Sequence, residues 1–217
     1  MSPLIPLLKR DLSDFKKNIF SIFTISILTP IFLHLFLSIP LSSVIKLDIR
    51  YLSWASPGLW ITSSCIAAFL QSANRMRKLQ FRFGQMESIL KTPISNFDLL
   101  LSIVIRGLLY GFFQLTISIM ITSILNNEYL SFYILLIVVI QMLFLIFQFA
   151  VLGTLVGGLV ANDNLYFNII CFIFLSLTVG LGNFIPLKYY PESFLSIITF
   201  IPIVFSFENV RSIILND

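Results

Sequence analysis

The sequence predicts an all-α integral membrane protein with five to six transmembrane helices. Three observations predict it. Hydrophobic residues make up 58% of the chain and charged residues only 11%, against about a quarter charged in a soluble domain. Apolar runs recur at the length of a bilayer-crossing helix, about 20 residues. Basic residues gather in the short segments between those runs, the pattern that sets membrane topology.

At a mean hydropathy of +0.97 the surface has lipid, not water, as its natural solvent. The 217 residues form one membrane domain and leave no room for a second, water-soluble nucleotide-binding module. The net charge of +4 resides in topology-setting clusters, so no nucleic-acid partner is expected. Cys65 and Cys171 lie inside apolar runs, match no metal spacing, and read as small apolar filler. The run from Ile19 to Ile39 is too long for a signal-peptide core and lacks a cleavage site, so it reads as a retained helix.

Residues 4–18 come first. Leu8, Leu12, Phe15 and Ile19 recur at helical spacing, while Lys9, Arg10, Asp11, Asp14, Lys16 and Lys17 fill the other face. That pattern predicts an amphipathic helix in the membrane interface, serving either as a positive anchor or as a docking element. Spans follow near 19–39, 55–73, 98–125, 130–160 and 165–184, the third and fourth long enough to tilt or project. Between the first two, Ile45, Leu47, Ile49 and Tyr51 alternate with Lys46, Asp48 and Arg50, which predicts a short extended segment. Pro186, Pro191 and Pro202 cut the tail, 185–217, into pieces.

Orientation follows from the basic residues. Lys9, Arg10, Lys16 and Lys17 precede the first span, and Arg75, Arg77, Lys78, Arg82 and Lys91 follow the second; only Lys46 and Arg50 lie in the first loop on the other side. The N-terminus and residues 75–95 are therefore expected in the cytoplasm of a multi-pass cell-membrane protein, with a bacterial-type inner membrane the expected home.

The segment FGQMESILKTPIS, Phe83 to Ser95, is half polar between two apolar stretches. Phe83, Met86, Ile89 and Leu90 share one helical face, and Glu87 and Lys91 form an i,i+4 pair in the favourable order. Pro93 disfavours helix through Thr92. The outcome is a cytoplasmic helix of about two turns, too short to be stable alone in water. Headgroups or another protein must hold it.

These residues resemble the permease subunits of type 2 ATP-binding-cassette (ABC) exporters. The resemblance runs through Arg82, Gly84, Glu87, Leu90, Thr92, Pro93, Ile94 and Ser95. Upstream it takes in the Pro57-Gly58 pair, and downstream the Pro-rich tail with Glu208 and Arg211 in a Glu-x-x-Arg. It implies that 84–95 is a coupling helix seated in a separate ATPase subunit, with Gly84, Met86, Glu87, Ile89, Leu90, Thr92 and Pro93 at the contact. Leu8, Leu12 and Phe15 of the N-terminal helix would supply a second contact. It also implies a homodimer of permease chains, a re-entrant outer segment at 185–217, and ATP-Mg bound by the partner, this chain carrying no cofactor. The family ends on a sixth span, whereas this sequence reaches Asp217 just after the Glu-x-x-Arg. The alternative expectation is therefore a transport-inactive structural or assembly subunit.

Polar groups inside the spans complete the reading. Gln114, Gln141 and Gln148 are candidates for lining a translocation path, with interhelical hydrogen bonding the competing role. Gly153, Gly157 and Gly158 fit close helix contact, or equally a relief of packing around the turn Ala161–Leu165. Arg106 can snorkel toward the cytoplasmic phosphates. An enzyme is not expected: His34 is the single histidine, with no nucleophile motif or metal-ligand cluster beside it.

Overall fold

The computed structural model describes residues 4–82, 95–127 and 130–215 of the chain. Every regular element among them is helical. The amphipathic helix α1 spans Leu4–Lys17, and α2, Ile19–Val44, opens directly after it. Three long helices follow: α3, Tyr51–Arg77; α4, Asn96–Asn126; and α5, Phe132–Leu159. Then come α6, Asp163–Gly180, the short α7, Glu192–Ile198, and α8, Pro202–Leu215.

Four of these helices, α2, α4, α5 and α6, are long and apolar enough to cross a bilayer, which makes the chain a multi-pass membrane protein. α7 and α8 pass the same test only jointly, bent by 96° at the break before Ile203. The expected second span belongs to α3, and α3 does not reach the hydropathy of the other four. The reason lies in its position. α3 packs along both α4 and α5 and also touches α2, α6 and α8. Ala55, Ile61, Cys65, Ala68 and Ala73 on it are all fully buried. A helix enclosed by helices needs little lipid-compatible surface, so it can carry hydroxyl groups if each finds an acceptor. Ser56 donates to the Leu52 carbonyl, Ser63 to Leu59 and Ser64 to Trp60. Lipid-facing bulk falls on the outer helices, where Phe20 and Phe132 are more than four-fifths exposed.

Close approach of α3 and α5 depends on missing side chains. A Cβ on Gly153 would lie 2.3 Å from the Phe69 carbonyl oxygen, and one on Gly157 2.3 Å from that of Ala73. Gly158 meets only the Met76 and Gln80 side chains, at 3.2 Å and beyond. The expected small-residue seam is thus real at two of its three positions, within one chain.

Two elements carry local detail beyond the expectation. The alternating segment before α3 is irregular, with extended geometry at Ile45 and no strand among the described residues. The first span is not a plain helix: its π-turn, His34–Ser38, ends two residues before Pro40, whose missing N–H leaves the Phe36 carbonyl without its i+4 donor.

Candidate functional site

The site is the pole of the bundle where α1 lies against the end of α3 and the start of α4. Leu7 packs with Met76, Leu79, Leu99 and Ile103. Two turns on, the Phe15 ring meets Tyr110 edge-on with centroids 4.9 Å apart, and Phe113 at 5.5 Å. Between them, on the same face, is Asp11.

Asp11 corrects the helical wheel. Assigned to the solvated face, it is only 4% exposed. Burying a carboxylate costs several kcal/mol unless it is paired, and here it is paired repeatedly. Its Oδ1 lies 3.1 Å from Arg75 Nη2 on α3, 3.3 Å from Arg106 Nη1 on α4 and 3.7 Å from Arg10 Nε. Asp14 stands 3.7 Å from the same Arg106, whose guanidinium also lies over the Tyr110 ring at 5.3 Å. Arg106 does reach toward this pole, but it ends on the carboxylates of α1. Of the expected apolar face, Phe15 points inward, Leu8 is half-buried, and Leu12 is 46% exposed.

Two further contacts fasten the pole. Arg77 pairs with Asp163, donates to the Ala161 carbonyl at 2.8 Å and stacks on Tyr166 at 4.3 Å. Tyr166 in turn donates its hydroxyl hydrogen to Asn74 Oδ1 at 2.9 Å. The start of α6 is therefore fixed to the end of α3. At the start of α4, Ser95 caps the helix: its Oγ accepts from the Asp98 N–H at 3.0 Å and donates to the Asp98 carboxylate at 2.7 Å. The serine that closes the FGQMESILKTPIS segment thus has a local reason to be there. Gly84, Met86, Glu87, Ile89, Leu90, Thr92 and Pro93 themselves lie outside the described residues.

Gln114 and Gln141 have different surroundings. Gln114 is buried, and its Nε2 donates to the Ser26 carbonyl at 3.0 Å and to Ser118 Oγ at 3.3 Å. Gln141 instead borders a cavity of about 320 Å³ with Ile140, Phe144, Ser206 and Asn209, between α5 and α8. Gln148 is half-buried on α5.

At the opposite pole the tail folds onto α3. Arg211 stacks on the Trp54 ring at 3.8 Å and donates to the Gly182 and Asn183 carbonyls at 3.1 and 3.2 Å. Tyr51 donates to the Phe184 carbonyl. A Cβ on Gly58 would fall 2.3 Å from the Asn183 oxygen. The Pro-Gly pair and the Glu-x-x-Arg, distant in sequence, meet around one loop.

Sequence reasoning missed the Asp11–Arg75–Arg106 cluster. A signal was present: Asp11 follows Leu7 by four residues and precedes Phe15 by four, and Arg106 is a lone cation in an apolar run. Among the described residues no group of three or more His, Cys, Asp or Glu side chains could hold a metal ion, and both cysteines are free. The chain matches no protein-family model, no curated protein and no solved structure.

Proposed function

We propose that the chain is the membrane-spanning permease subunit of an ATP-driven ABC exporter, coupled to a separate ATPase subunit and paired with a second copy of itself. The observation that carries this reading is the clamp on Asp11. It ties α1 to α3 and to α4, the two helices that flank residues 83–94. Force applied to α1 or to the flanked segment would reach the same two helices. α3 and α4 are packed against each other along the core, so they would carry that displacement through the bundle.

In this reading α1, with the exposed Leu12, and the segment bearing Glu87 and Leu90 together face the ATPase. ATP-Mg binds the partner, and closure of the partner favours one of two arrangements of the bundle by binding it more tightly. This chain then contributes no bond-making chemistry.

The test is hydrolysis by an ABC ATPase co-reconstituted with the chain in vesicles. The chain should raise the ATPase rate, and Glu87→Ala or Leu90→Asp should remove the increase while membrane insertion is retained. An ATPase that binds but is never stimulated by any preparation would favour the transport-inactive assembly subunit. Failure to associate in mild detergent would end the export reading.

A further inference from the structure

A second cavity, of about 320 Å³, opens beside the Asp11 clamp, between α2, α3 and α4. Its volume lies at the small end of the range for ligand sites, and its lining is mixed. Lys78, Arg106, Asn18 and Tyr110 line it, Gln71 and Gln114 add further polar groups, and Ile22, Ile25, Ala67 and Leu70 supply apolar wall. Ile25 is 61% exposed, so part of the apolar wall faces outward from the bundle. Asn18 and Lys78 border the apolar runs of α2 and α3, the level at which headgroup phosphates lie.

Among the described residues the two charged side chains that line the cavity, Lys78 and Arg106, are both cationic. The nearest carboxylates, Asp11 and Asp14, pair with Arg106 from the α1 side. Arg106 directs Nη1 at the α1 carboxylates and Nη2 at the Tyr110 hydroxyl, and it lines the cavity beside Lys78. A phosphate supplies several oxygens suited to a guanidinium edge.

We propose that this cavity binds one anionic phospholipid from the adjacent leaflet. Its phosphate lies between Lys78 and Arg106, and an acyl chain leaves past Ile22, Ile25 and Leu70. Such a lipid bridges α2 to the two helices that clamp α1, so the seating of α1 depends on leaflet composition. The inference rests on the cavity and its charges alone and stands whether or not the chain exports anything.

Native mass spectrometry of the purified chain with dioleoyl phosphatidylglycerol tests it. The wild type should retain one such lipid in preference to dioleoyl phosphatidylcholine. Lys78→Gln should weaken retention about five-fold, and Ala67→Phe, which fills the apolar wall, should abolish it. A photoreactive phosphatidylglycerol gives a readout that needs no variant: its cross-links should fall on peptides containing Ser21–Ser26 or Ala67–Gln71. Cross-links confined to other helices, or equal retention by wild type and both variants, would overturn the proposal. Inorganic phosphate competing as strongly as the lipid would assign the site to a soluble anion and overturn the lipid.

Discussion

The carboxylate of Asp11 on α1 lies 3.1 Å from the guanidinium of Arg75 on α3, with only 4% of the aspartate side chain exposed. The pair joins a helix otherwise suited to lying on a membrane to the centre of the bundle. Removing one partner of such a pair leaves the other buried without its counter-charge, at roughly 3–5 kcal/mol. Asp11→Asn should therefore release α1 while the bundle stays folded. Limited proteolysis should show a new cut after Lys16 or Lys17, with the far-ultraviolet dichroism of the remaining helices preserved. Unchanged protection would mean that Leu7 and Phe15 hold α1 without the charge.

The contact between α3 and α5 should be the part of the fold least tolerant of added volume. Gly157→Leu places a side chain where only 2.3 Å separates a Cβ from the Ala73 oxygen. Forced separation of the helices costs about 1–3 kcal/mol, read as a lower melting temperature in detergent. Gly158→Leu, whose nearest neighbours are the movable Met76 and Gln80 side chains at 3.2 and 3.3 Å, should cost clearly less.

The opposite pole should respond as one unit. Arg211→Met strands the Gly182 and Asn183 carbonyls, and Gly58→Ala pushes the Asn183 backbone away. Each should speed tryptic cleavage after Lys188. Because both act on the same loop, the double variant should be less than additive. Fully additive rates would show that the two sites are independent.

The buried glutamines should separate by role. Gln114→Leu loses two hydrogen bonds between helices and should lower stability by about 1 kcal/mol. Gln141→Leu should not, because the Gln141 Oε1 has no partner to lose among the described residues. A larger loss for Gln141 would point to a contact it makes elsewhere.

Much of the fold was legible because lipid imposes a length and polarity on each span that a sequence displays directly. α2, α4, α5 and α6 lie where apolar runs placed them. α3 was legible as a helix, but its polarity reports enclosure by other helices, which no window along one chain measures. The tail was harder to read: its bend reflects Arg211 finding Trp54 across more than 150 residues of sequence. At the candidate site the helical wheel found Phe15 but missed Asp11. Whether a carboxylate faces water or a core depends on where its arginines arrive, and Arg75 and Arg106 belong to other helices.

The central claim is that α1 and the segment after α3 form one cytoplasmic face for a foreign ATPase. The most direct measurement is labelling of Lys91→Cys and Leu12→Cys, each in a Cys65→Ala, Cys171→Ala background, by a membrane-impermeant maleimide. Both positions should stay unlabelled in intact cells, label after permeabilisation, and become protected when the ATPase is added. Labelling of Lys91→Cys in intact cells would contradict the account.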